Sequence, residues 1–90
     1  MSSARRTFRL EVRREPGALE RVLLVVRRRG LGLEEMTVMP HGGEAWRVSI
    51  IAEALAHDAT LALRQFAALV DVRHAQLEDD DATRVENAFA

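Results

Sequence analysis

Three histidines, one strand serine and a run of aspartates are the residues whose types could do chemistry. His41, His57 and His74 fall in three different predicted elements. No two of them share a helix at i, i+4, the spacing by which a helix presents two imidazoles to one zinc ion. They read as turn, cap and surface residues. Ser49 lies in a predicted strand with no histidine or acid at a spacing that would activate it. Asp79, Asp80 and Asp81 could face a divalent cation, but the glycine and terminal glutamate of a calcium loop are missing, so a solvated charge run is the better reading. The glycines at 30, 32, 42 and 43 form neither GxGxxG nor a P-loop. No catalytic residue, metal site or cofactor is expected.

What the sequence does offer is a turn. Glu15-Pro16-Gly17-Ala18-Leu19 opens the stretch 15–30, which reads as a tight Pro-Gly turn launching an amphipathic helix. A small ligand or a partner could sit there, against the turn and the helix N-terminus. Pro16 in the first helical turn would cost no hydrogen bond, and Gly17 would let the backbone approach whatever lies above it. Leu19, Val22, Leu23 and Val26 fall at i, i+3, i+4, i+7 and predict the buried stripe. Arg27 to Arg29 complement the negative end of the helix, and Gly30 supplies the left-handed residue that ends it.

The remaining elements follow from periodicity. Thr7 to Arg13 alternates, with Phe8, Leu10 and Val12 on one side, as a half-buried strand does. Leu33 to Met39 and Ala45 to Ala52 predict a hairpin about the turn 40–43. A second helix begins near His57 or Asp58, with Asp58 as candidate N-cap and Ala59, Ala62, Leu63, Phe66 and Val70 on its buried face. Asp71 to Leu77 reads as a fourth strand. Met1 to Arg5 is a frayed start, and 78–90 an acidic, mobile tail. The order strand, helix, strand, strand, helix, strand predicts an α+β, ferredoxin-like fold over residues 1–77: a four-stranded antiparallel sheet with two helices on one face. The sheet's uncovered face and its edges need cover in so small a domain, so a dimer is expected.

Composition narrows the function further. The 90 residues carry 48% hydrophobic and 30% charged residues and no cysteine, so there is no disulfide framework or thiolate metal site. No apolar run approaches the roughly 20 residues of a membrane span, and the N-terminus lacks a secretory signal, so a cytoplasmic location is expected. The net charge of −1 hides an asymmetry: residues 1–30 hold nine arginines against three glutamates, and residues 31–90 four arginines against eleven acids. Equal and opposite halves argue against nucleic acid as partner. An RNA-recognition domain would also want stacking aromatics on its central strands, and Phe8 and Trp46 both alternate with apolar neighbours, as core residues do.

With the elements and the turn in hand, the chain resembles an ACT domain, and more narrowly the small regulatory subunit of acetolactate synthase (acetohydroxyacid synthase). The resemblance rests on Glu15-Pro16-Gly17-Ala18-Leu19, Arg21-Val22, Arg29-Gly30-Leu31, Glu35 to Pro40, Arg47 to Ile50 and Leu69 to Val72. It implies a non-catalytic, cofactor-free subunit that homodimerises and activates a thiamine-diphosphate-dependent large subunit, within branched-chain amino acid biosynthesis. It also implies an effector site, for a branched-chain amino acid, at Arg14, Glu15, Pro16, Gly17, Ala18, Leu19 and Gly32. Arg14 and Gly32 stand where valine-responsive subunits usually carry asparagine, and the second domain of those subunits is missing. The chain is therefore more similar to the short, isozyme II type, with weak or no valine feedback. Arg14 could still hold a carboxylate, or be a solvated strand-end residue. Leu24, away from the stripe between Glu20 and Arg28, is a candidate contact with the large subunit. The alternative is a free-standing ACT sensor that binds its effector at a subunit interface near the turn.

Overall fold

The computed structural model describes residues 3–79. β1 (Ala4–Arg13), α1 (Ala18–Arg28), β2 (Gly32–His41), β3 (Ala45–Ala54), α2 (Ala56–Ala68) and β4 (Val72–Asp79) follow one another in the expected order. They build the expected ferredoxin-like fold, a four-stranded antiparallel sheet ordered β2-β3-β1-β4 with two helices. β1 is central, paired along its whole length with β3 and from Arg6 to Val12 with β4, the register slipping between Glu11 and Val12.

Alternation decides which face is buried. Phe8, Leu10 and Val12 of β1, and Val48, Ile50 and Ala52 of β3, point to the helices and are buried. Phe66 meets Phe8 edge to face at 5.2 Å, fastening α2 to the central strand. Trp46, expected in the core, is only half-buried at its margin, because it lies at the very start of β3. Thr7, Arg9, Glu11, Arg47, Ser49, His74 and Gln76 face the other way. That face is polar, and Arg9 pairs with Glu78 at 2.8 Å across it.

Several boundaries differ from the sequence reading. β1 takes in Ala4 and Arg5, expected to fray, because β3 is long enough to pair with them. Pro16 precedes α1 and belongs to the turn; the N-cap is Gly17, in a left-handed conformation at φ 78°. The buried stripe of α1 is Ala18, Val22, Val25 and Val26, while Leu23 is 41% exposed. α2 starts at Ala56 with Leu55 as N-cap, so Asp58 sits in its first turn and does not cap it. Val70 lies beyond the helix and is 82% exposed. β4 runs two residues past Leu77.

Both ends of α1 are set by glycine. At the C-terminus Gly30 has φ 65°, its N–H donates to Arg27 O and that of Leu31 to Val26 O. This double return is the Schellman arrangement, and buried Leu31 closes it against the core.

Candidate functional site

The turn from Arg14 to Leu19 is held from three sides. Arg13 N donates to Asp71 O at 2.7 Å and Arg14 N to Glu44 O at 2.9 Å, so the end of β1 is tied to the α2–β4 junction and to the β2–β3 turn. Arg14 Nε donates to Ala45 O at 3.1 Å, and its guanidinium lies over the Trp46 ring at 5.9 Å. Arg14 is exposed, but it is fastened to β3 by a hydrogen bond and a cation–π contact.

The third side is Arg21. From the first turns of α1 its Nε donates to Asp71 Oδ2 at 2.9 Å, Nη2 donates to the same oxygen, and Nη2 also reaches Pro16 O at 3.1 Å. Asp71 is 7% exposed. A buried carboxylate needs a cation and hydrogen bonds to replace lost water, and Arg21 supplies both. Gly17 sits directly over this guanidinium: a Cβ there would lie 2.8 Å from Arg21 Nη1. The residue that the glycine allows to come close is thus Arg21 of the same chain. Neither Arg21 nor Asp71 stands among the site residues read from the sequence. They lie 50 positions apart, and no local period links them.

A recess of about 220 Å³ opens beside the turn, lined by Arg13, Arg14, Glu15, Gly43, Glu44 and Arg73. It offers both signs of charge, as the two ends of a zwitterion require. Arg14 and Glu15 enter it, while Pro16, Gly17, Ala18 and Leu19 lie on the turn and the start of α1. Gly32 is elsewhere. It begins β2 at the other end of α1, opposite Glu53, so one chain does not bring it to the turn. A second recess of about 270 Å³ lies on the uncovered sheet face among Arg9, Leu10, Glu11, Arg47, His74 and Gln76. Glu11 there faces Arg73 at 3.5 Å and His41 at 3.6 Å, and Arg47 bonds His41 Nδ1 at 3.1 Å.

His41 ends β2, His57 lies in the first turn of α2, and His74 is on β4. Among the described residues no three His, Cys, Asp or Glu side chains are grouped so as to hold a metal ion. No helix there is long and apolar enough to cross a membrane.

Comparison with known proteins bears on the family and the fold. The sequence has no match among curated proteins. The structure is similar to the ACT domain from GTP pyrophosphokinase of Chlorobium tepidum, at 6% identity and a TM-score of 0.75 over 86% of this chain and 100% of that one. It is also similar to a homoserine dehydrogenase from Thiobacillus denitrificans, at 14% identity and a TM-score of 0.71, over 86% of this chain and 17% of that one. The regulatory subunit of aspartate kinase from Thermus thermophilus, in its ligand-free form, matches at 16% identity and 0.65, over 87% of this chain and 55% of that one. At such identities these likenesses speak to the fold alone. The family description of the ACT domain matches residues 14–75, most of the chain and all of the turn. The chain belongs to the ACT domain family, regulatory and non-catalytic modules that generally sense amino acids.

Proposed function

We propose that the chain is the activating small subunit of acetolactate synthase, of the short kind with weak or no valine feedback. The carrying observation is that Arg14 and Arg21, the two arginines that reach the turn, are committed within the chain. Arg21 is held by Asp71 and Pro16 O, and Arg14 by Ala45 O and Trp46. A carboxylate held by Arg14 or Arg21 would have to displace their existing bonds, and net affinity comes only from the surplus. A turn already braced suits a subunit that presents a fixed surface to an enzyme. Leu24, 43% exposed on the outward face of α1, supports a contact with the large subunit.

A homodimer is part of this reading, and β2 is the surface that favours it. It is an edge strand, exposed at every position except half-buried Met36 and His41. Leu33, Met36 and Val38 lie opposite Ala52, Ile50 and Val48, hence on the helix side of the sheet. Arg21 marks the flank of α1 toward α2 and β4, so the opposite flank, with Leu19 and Leu23, faces the β2 side. These residues form an apolar strip beside an unpaired edge, which a second copy would cover while completing its hydrogen bonds. Antiparallel pairing of two β2 strands would also bring the partner copy's start of β2 to this copy's turn. The seven effector residues, Gly32 included, would then be reunited across the interface.

That last point favours a second reading, a free-standing ACT sensor with its effector at the subunit interface. One experiment separates them. Acetolactate formation from pyruvate by the large subunit of the same organism is assayed with and without excess of this chain, then with valine. A many-fold rise that valine leaves unchanged supports the proposal. No rise and no complex would sink it and leave the sensor, whose melting temperature should rise with a branched-chain amino acid.

A further inference from the structure

His41 stands between two groups that ask opposite things of its ring. It ends β2, directly before the two glycines of the hairpin turn. From β3, Arg47 brings Nη2 to 3.1 Å from Nδ1. From β1, Glu11 sets Oε1 3.6 Å from Nε2. A guanidinium carries only N–H donors, so Arg47 donates and Nδ1 accepts. This contact needs a neutral ring whose one hydrogen is on Nε2, facing the carboxylate.

A second proton has only Nδ1 to go to. Placed there it would meet the Arg47 N–H, donor against donor and cation against cation. The charged ring would gain attraction to Glu11, but Arg73 of β4 already draws on that carboxylate at 3.5 Å. The other groups around the ring are mostly basic: Arg13, in the same row beyond Ala45, and Arg9 and His74, which line the recess that Arg47 and Glu11 share. Glu44 in the turn is acidic, but its side chain is 87% exposed and lies 3.8 Å from Arg73. Protonation therefore leaves His41 with Glu11 and expels Arg47.

Arg47 and His41 clasp the hairpin across its turn, and little else holds that turn. A Cβ at Gly42 or Gly43 would meet nothing within 4 Å, and the Glu44 side chain stands in solvent. Segments with so few packed contacts open most readily. Yet this turn supplies Glu44 O, which accepts from Arg14 N at 2.9 Å, and Gly43 and Glu44 line the recess beside the Pro-Gly turn.

We infer that His41 is a proton-operated latch on the β2–β3 hairpin. Neutral, it clasps Arg47 and keeps Glu44 against Arg14. Protonated, it releases Arg47, and the turn and that wall of the recess loosen together. Such a latch would act whether or not the chain activates an enzyme.

Nitrogen NMR on the full chain tests this between about pH 8 and about pH 5.5, where an ordinary imidazole changes charge and ordinary carboxylates stay ionised. At the higher pH the His41 ring should be the Nε2–H tautomer, and Arg47→Met should lose that preference. On acidification the protection of the Arg14 amide, corrected for the pH dependence of exchange itself, should fall roughly three- to tenfold, the effect of one hydrogen bond. The amides of 42–44 should gain mobility over the same range. His41→Gln keeps an oxygen to accept from Arg47 and does not titrate, so its Arg14 amide should stay protected throughout. His74→Gln should respond as the parent does. Arg47 and His74 are exposed and His41 is half-buried, so the three variants leave the core untouched. An Nδ1–H tautomer at the higher pH would overturn the latch. So would an equal loss of protection in His41→Gln, or a loss that His74→Gln abolishes.

Discussion

Arg21 and Asp71 join the beginning of the first helix to the beginning of the last strand, through two guanidinium nitrogens on one buried carboxylate oxygen. The same guanidinium holds Pro16 O, so the turn, α1 and the α2–β4 junction share a single tie.

Removing the cation should therefore cost more than an ordinary surface pair. In Arg21→Met the Asp71 carboxylate stays buried without a partner, and the chain should lose about 2 kcal/mol in urea unfolding. Asp71→Asn, which keeps an acceptor oxygen for Arg21, should lose clearly less. Equal losses would mean that the charge of Asp71 is not what Arg21 satisfies.

Gly17 and Gly30 make a matched pair for a second test. Both have positive φ, so alanine at either costs about 1–2 kcal/mol of backbone strain. A Cβ at Gly30 meets nothing within 4 Å, whereas at Gly17 it would lie 2.8 Å from Arg21 Nη1. Gly17→Ala should consequently be the more damaging, and the excess should vanish in an Arg21→Met background. Thermal unfolding of the four variants gives the comparison directly.

Val38→Lys puts a charge in the middle of the exposed strip on β2 without touching the buried core. Sedimentation should show the dimer dissociating, with circular dichroism unchanged. A monomeric parent would overturn the proposed dimer, and a dimer indifferent to this lysine would move its interface off β2.

Leu23 and Leu24 are neighbours with almost equal exposure but different outlooks, one toward the β2 flank and one outward. Leu24→Asp should weaken binding to the proposed partner, the acetolactate synthase large subunit, and leave the proposed dimer intact. Titration with that subunit reads the effect, and unchanged affinity would remove Leu24 from the contact.

Phe66→Ala tests the core itself. Losing the ring that meets Phe8 should cost about 3–5 kcal/mol, read from the urea midpoint.

The order and type of all six elements were legible because alternation in the strands and the glycines around α1 are local signals. The buried face of α1 was not, for a specific reason. Val22-Leu23-Leu24-Val25-Val26 is apolar throughout and supports two overlapping stripes. The structure takes the one containing Val25, a rotation that Arg21 reinforces by reaching Asp71 on one flank. Asp58 looked like a cap because of its residue type, yet α2 begins two residues earlier, directly after β3 ends. The turn was legible as a site, while its bracing was not, since Asp71, Glu44 and Ala45 reach it only through the fold.

The central place of β1 also sets a schedule for the chain. This strand needs β3 on one side and β4, the last element among the described residues, on the other. A growing polypeptide can form the β1–β3 pairing early, but the second flank of β1 stays an open edge until residue 79 has been added. Loss of β4 would leave that flank open for good, a template for foreign strands at the heart of the sheet. Completion of this sheet thus waits on β4, and a nascent chain is most exposed to mispairing just before synthesis reaches it.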